Sequence, residues 1–94
     1  MPKFLIERQV PGAGELSRDE LMAIAQHNCA VLEQIGPKVQ WVQSFVTGDR
    51  LTCVYIAPDE AAVREHARLG GFRADRVERI VTTMDPTSAE PGAG

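Results

Sequence analysis

Two neighbouring runs, Gln40–Val46 (QWVQSFV) and residues 51–58 (LTCVYIAP), constrain what this chain can fold into more than any other feature. Both are rich in aromatic and β-branched residues. The Thr47-Gly48-Asp49-Arg50 segment between them carries a Gly-Asp turn signal, so together they predict a β-hairpin. A strand with one wet face alternates apolar and polar residues. The second run is instead apolar at nearly every position, which requires cover on both faces. A short chain supplies helices for one of those faces, and a second copy of the protein is the simplest cover for the other.

The rest of the pattern supplies those helices. Residues 3–10 alternate Phe4, Ile6 and Val10 against Leu5, Glu7 and Gln9, the period of a strand, and Pro11-Gly12-Ala13-Gly14 ends it. Ser17-Arg18-Asp19-Glu20 has capping-box spacing, which starts a helix. Leu21, Ile24, Asn28, Val31, Leu32 and Ile35 then fall on one helical face, and Gly36-Pro37 stops it. Asp59 is the expected N-cap of a second helix over 60–69, closed by Gly70-Gly71, and residues 77–83 read as a last strand. The order β-α-β-β-α-β predicts an α+β ferredoxin-like sandwich, an antiparallel sheet with two helices on one face. Right-handed crossovers place the first and third strands in the middle of that sheet. The twice-covered run is the third strand, so pattern and topology agree, and the open sheet face is the expected dimerisation surface.

With 94 residues the chain has room for one domain, expected over 1–84, with a flexible tail over 85–94 that is rich in Pro, Gly, Ser and Ala. A net charge of −3 and a pI near 5.3 argue against nucleic acid as a partner. The densest arginine group, Arg64 to Arg79, is interleaved with Glu65, Asp75 and Glu78, the pattern of a solvated face. No apolar run is long enough to span a membrane and no secretion signal is visible, so a cytoplasmic protein is expected. Cys29 and Cys53 lack CxxC spacing and read as reduced thiols.

Two polar residues lie on apolar helix arcs. Asn28 sits one turn from both Ile24 and Leu32 and should point at the sheet, either as a hydrogen-bonded core amide or as a pocket residue. His66 shares an arc with Ala62, Val63 and Leu69, and reads as a structural histidine, a metal ligand or a general base. His27 lies on the flank of the first helix, exposed and able to bind metal. On the sheet, the period-2 pattern puts Trp41, Gln43 and Phe45 on one face, continuing to Cys53 and Tyr55 and joined by Glu7. That face reads either as an interface anchored by Trp41 and Tyr55 or as a small site closed by a dimer.

The text of these segments resembles a family of small bacterial proteins of ferredoxin-like fold, formerly a domain-of-unknown-function family and now often labelled nickel-binding. The resemblance spans about residues 2–83 and is carried by KFLIER at 3–8, QWVQSFV at 40–46, CVYIAP at 53–58, and EHARLGGF at 65–72 followed by Ala74-Asp75-Arg76. Arg73 stands where the family leads one to expect Pro after Gly-Gly-Phe, and the tail after Asp85 has no counterpart. What the resemblance implies is a homodimer that binds nickel and serves metal sequestration or detoxification. The sequence lacks HxH, HxxxH and CxxC motifs, so a site of the closed structural-zinc type is not expected. Any divalent-metal site should be sparse, solvent-accessible or shared between subunits, with His66 and His27 as leading ligands and Cys53 and Glu7 behind them. The alternative is a small-molecule-binding protein or enzyme with a cavity between sheet and helices, in which Asn28, Trp41 and Tyr55 join His66. No residue stands out as catalytic, and binding is expected over catalysis.

Overall fold

Local chemistry sets the element boundaries in the computed structural model, which describes residues 1–92. Strand β1 (Lys3–Gln9) runs into a 3₁₀ turn at Ala13–Glu15. Helix α1 (Arg18–Ile35) opens on a complete capping box: Ser17 Oγ accepts from the Glu20 amide at 3.1 Å, and the Glu20 carboxylate accepts from the Ser17 amide at 3.0 Å. Two amides at the helix entry are thereby satisfied. Strands β2 (Gln40–Val46) and β3 (Arg50–Ile56) form the hairpin. Helix α2 (Glu60–Gly70) is capped by Asp59, whose Oδ1 accepts from the Ala62 amide at 2.9 Å, and is stopped by Gly71 in the left-handed region at φ 69°. Strand β4 (Arg76–Ile80) ends earlier than the expected 77–83. In the segment expected to be a flexible tail, Asp85 caps a 3₁₀ turn at Pro86–Ala89 whose residues are all exposed, and residues 93 and 94 lie outside the described chain. Among the described residues no helix is long and apolar enough to cross a membrane.

The sheet has the order β2-β3-β1-β4, every pair antiparallel. This is the ferredoxin-like sandwich, with β1 and β3 central as right-handed crossovers require. Register decides the faces. Phe4 lies opposite Tyr55 and Ile6 opposite Cys53, and all four are buried beneath the helices with Leu51 and Val63. The alternate residues Leu5, Glu7, Thr52, Val54 and Ile56 are half-buried on the other face.

That register overturns the expected grouping of Cys53 and Tyr55 with Gln43, Phe45 and Glu7 on the open face. For Glu7 the cause is the pairing of Cys53 with Ile6, and for Gln43 and Phe45 it is a β-bulge in β2. Trp41 pairs with Tyr55 on the helix side, Val42 is passed over, and Gln43 then lies opposite Val54 and Phe45 opposite Thr52. One extra residue moves the rest of the strand to the opposite parity. Trp41 is therefore separated from Phe45, and the sheet lies between Glu7 and the Cys53 thiol. A smaller correction concerns α2: Leu69 is 41 % exposed, whereas Ala67 joins Ala62, Val63 and His66 in the buried arc.

Candidate functional site

Between the sheet and the helices lies a cavity of about 200 Å³. Its walls are mainly apolar, drawn from Ile6 on β1, Leu21 and Ile24 on α1, Trp41 and Leu51 on the hairpin, and Phe72 after α2. The bulge contributes directly, because it leaves both Trp41 and Ser44 facing the helices, where the indole Nε1–H donates to Ser44 Oγ at 2.9 Å.

Asn28, Tyr55 and His66 meet at this cavity, each from a different element and each at most 5 % exposed. The Tyr55 hydroxyl donates to Asn28 Oδ1 at 3.1 Å. His66 Nε2 lies 2.7 Å from the same oxygen and 3.3 Å from the Tyr55 hydroxyl. A carbonyl oxygen only accepts, so His66 carries its proton on Nε2 and Asn28 Oδ1 receives two donors. Nδ1 of the neutral ring is left buried without a partner. Burial, and secondarily electrostatic repulsion from the neighbouring His27 ring, holds the His66 pKa below its usual range, so the ring is neutral at physiological pH. Burial likewise pushes the Tyr55 hydroxyl above its usual range, and it remains a donor.

Cys53 faces the same cavity. Burial raises its pKa, with a Ser44 hydrogen bond and the Arg8 charge offsetting this in part, so it is a thiol rather than a thiolate. Sequence reasoning missed Arg8 and Phe72. Arg8 lies opposite Leu51, in phase with Phe4 and Ile6, so its side chain leaves the helix side of the sheet. Its guanidinium carbon stands 4.7 Å from the Phe72 ring centroid, and its Nε is buried without a hydrogen-bond partner. The signal was available in the alternation of residues 4, 6 and 8. Phe72 is edge-on to His27, with centroids 5.3 Å apart, and tilted against His66 at 5.5 Å.

The four expected metal ligands do not converge. His66 is 1 % exposed and hydrogen-bonded, Cys53 is buried, and Glu7 lies on the other sheet face with Arg50 and Arg76 each 3.9 Å away. His27 is exposed, and its Nε2–H donates to the Gly70 carbonyl at 2.7 Å. This fixes the tautomer and leaves Nδ1 as the nitrogen with a free lone pair. Among the described residues no group of three or more His, Cys, Asp or Glu side chains is arranged to hold a metal ion.

A family profile described as "Nickel responsive protein SCO4226-like" matches residues 4–80. The chain belongs to this family. Apart from Lys3 at the start of β1, the SCO4226-like match takes in all four strands, both helices and every residue of the cavity site. Among solved structures, the crystal structure of SCO4226 from Streptomyces coelicolor A3(2) superposes with a TM-score of 0.73 at 19 % identity, covering 87 % of this chain and 99 % of that one. At that identity the likeness speaks for the fold. No curated protein matches the chain.

Proposed function

We propose that this SCO4226-like chain is a nickel-binding protein that sequesters the ion as a homodimer. The observation that carries the reading is the family match across residues 4–80, whose description is nickel-responsive. The donors on the protomer limit how nickel is held. His27 has the arrangement typical of a ligating histidine, one ring nitrogen anchored on a backbone carbonyl and the other free on an exposed ring. With no three-donor cluster among the described residues, the other positions on an ion held by His27 are filled by water. The open sheet face, with Leu5, Phe45, Val54, Ile56 and Ile80 on one side of the register, supplies the apolar surface for a second copy, on the side of the sheet away from His27.

Titration calorimetry of tag-free protein with Ni²⁺ tests this reading. Binding tighter than about 1 mM that His27→Ala weakens at least tenfold is expected, since ~1 mM is what a stray surface imidazole achieves. Absence of such binding would sink it. A second reading, a small-molecule-binding protein, is favoured by the cavity at Asn28, Tyr55 and His66.

A further inference from the structure

We propose that the sheet–helix cavity is a binding site for a small organic acid, a single carboxylate on a compact apolar body. The carboxylate is assigned to Arg8. This residue lines the cavity, its Nε is buried and without a hydrogen bond, and it forms no ion pair among the described residues. The second arginine at the cavity, Arg73, is already held by Asp75 at 2.7 Å, so Arg8 is the cation with unspent charge there. A guanidinium presents donors in a fork that matches a carboxylate. Stacking on Phe72, with the guanidinium carbon 4.7 Å from the ring centroid, holds that fork in place.

The remaining walls define the body. Trp41, Phe72, Ile24 and Leu21 are apolar, and about 200 Å³ lies below the roughly 300–1,000 Å³ of pockets for drug-sized ligands. One ring or a short branched chain fits that space. A nucleotide or a polyanion does not, because one unpaired cation neutralises one charge. At the polar end the Asn28 carbonyl oxygen is taken by Tyr55 and His66, whereas its NH₂ group makes no hydrogen bond among the described residues. That group is 5 % exposed as part of Asn28 and donates to a ligand oxygen. This inference does not depend on nickel and fails or stands separately from it.

The test is a titration of tag-free, metal-free protein with phenylacetate and isovalerate, followed by ¹H–¹⁵N NMR at the Trp41 indole and the Arg8 guanidinium. Phenylacetamide and inorganic phosphate are the controls. The expected result is saturable shifts of both signals with the acids at millimolar or lower concentration. The neutral amide should bind at least tenfold more weakly, the loss of about one charge-assisted contact. Phosphate should leave the indole unmoved. Arg8→Gln should abolish the preference for acid over amide, and Arg8→Lys should restore part of it. Equal binding of acid and amide to the unaltered protein overturns the proposal without any variant being needed. So does an unmoved indole with both acids, or an acid preference that survives Arg8→Gln.

Discussion

Asn28 carries more of the interior than its single side chain suggests, because one carbonyl oxygen serves two buried donors. Asn28→Ala strands the Tyr55 hydroxyl and the His66 Nε2–H together, and at ~1–3 kcal/mol for each unsatisfied buried donor the expected loss is about 2–6 kcal/mol. Tyr55→Phe removes one donor and leaves Asn28 satisfied by His66, so about 1 kcal/mol is expected. Urea unfolding of the two variants checks the ranking. His66 adds a pH dependence of definite sign. Its folded pKa lies below the ordinary value of 6.5, so the unfolded chain takes up a proton first as pH falls. The stability this burial supports is therefore complete above pH 6.5 and is lost as pH falls from there towards the folded pKa. Urea midpoints measured from neutral to mildly acidic pH should decline over that window, and His66→Gln, which keeps an amide donor for Asn28, should flatten the decline.

At the scale of elements, the end of α2 and the start of α1 carry the local instructions. The Phe72 ring folds back over Gly70, so closely that a methyl group there would collide with it. Gly70→Ala gains a little helix propensity but displaces the ring that packs on His27, His66 and Arg8. The overlap outweighs the propensity, and a net loss of about 1–3 kcal/mol is expected. Thermal melting gives the loss, and changed ring-current shifts at His27 identify its cause. At α1, Ser17→Ala removes half of the capping box and should cost about 1 kcal/mol in the same assay. The ion pair Arg64–Glu60 on α2 is about half exposed at both partners, and its removal should change little.

For the whole molecule, the sandwich has one face covered by helices and one that neither helix covers. Strand β3 shows this directly: Leu51, Cys53 and Tyr55 are buried within the protomer, while Thr52, Val54 and Ile56 remain half-buried. Phe45, 51 % exposed, extends that apolar surface across β2, and Glu7 with Arg50 and Arg76 gives it a charged flank. If two copies meet there, a stable interface buries about 1,200–2,000 Å² in total, and a charge placed at its centre is not tolerated. Sedimentation of the unaltered chain should give a dimer mass, and Val54→Lys with Phe45→Lys should shift it to monomer with the far-ultraviolet circular dichroism unchanged. A monomer mass for the unaltered chain would remove the homodimer from the proposed function.

What the sequence by itself determined was everything written in local chemistry. The capping box at Ser17, the Asp59 cap, the stops at Gly36 and Gly71 and the two-sided hydrophobicity of residues 51–58 follow from neighbouring residues, and with the handedness of crossovers they lead to the β2-β3-β1-β4 order. Asn28 and His66 were conspicuous for the same reason, polar residues on apolar arcs of 3.6-residue period. Only the tertiary structure decided which side of the sheet each hairpin residue serves. The bulge at Val42 leaves no mark in a period-2 pattern, yet it moves Phe45 to the open face and keeps Trp41 beside Tyr55, while pairing with Phe4 and Ile6 of β1 assigns Tyr55 and Cys53 to the cavity. The meeting of Asn28, Tyr55 and His66, and the position of Arg8 over Phe72, depend on strands and helices far apart in the chain. Their geometry is fixed by packing, which a linear pattern does not encode.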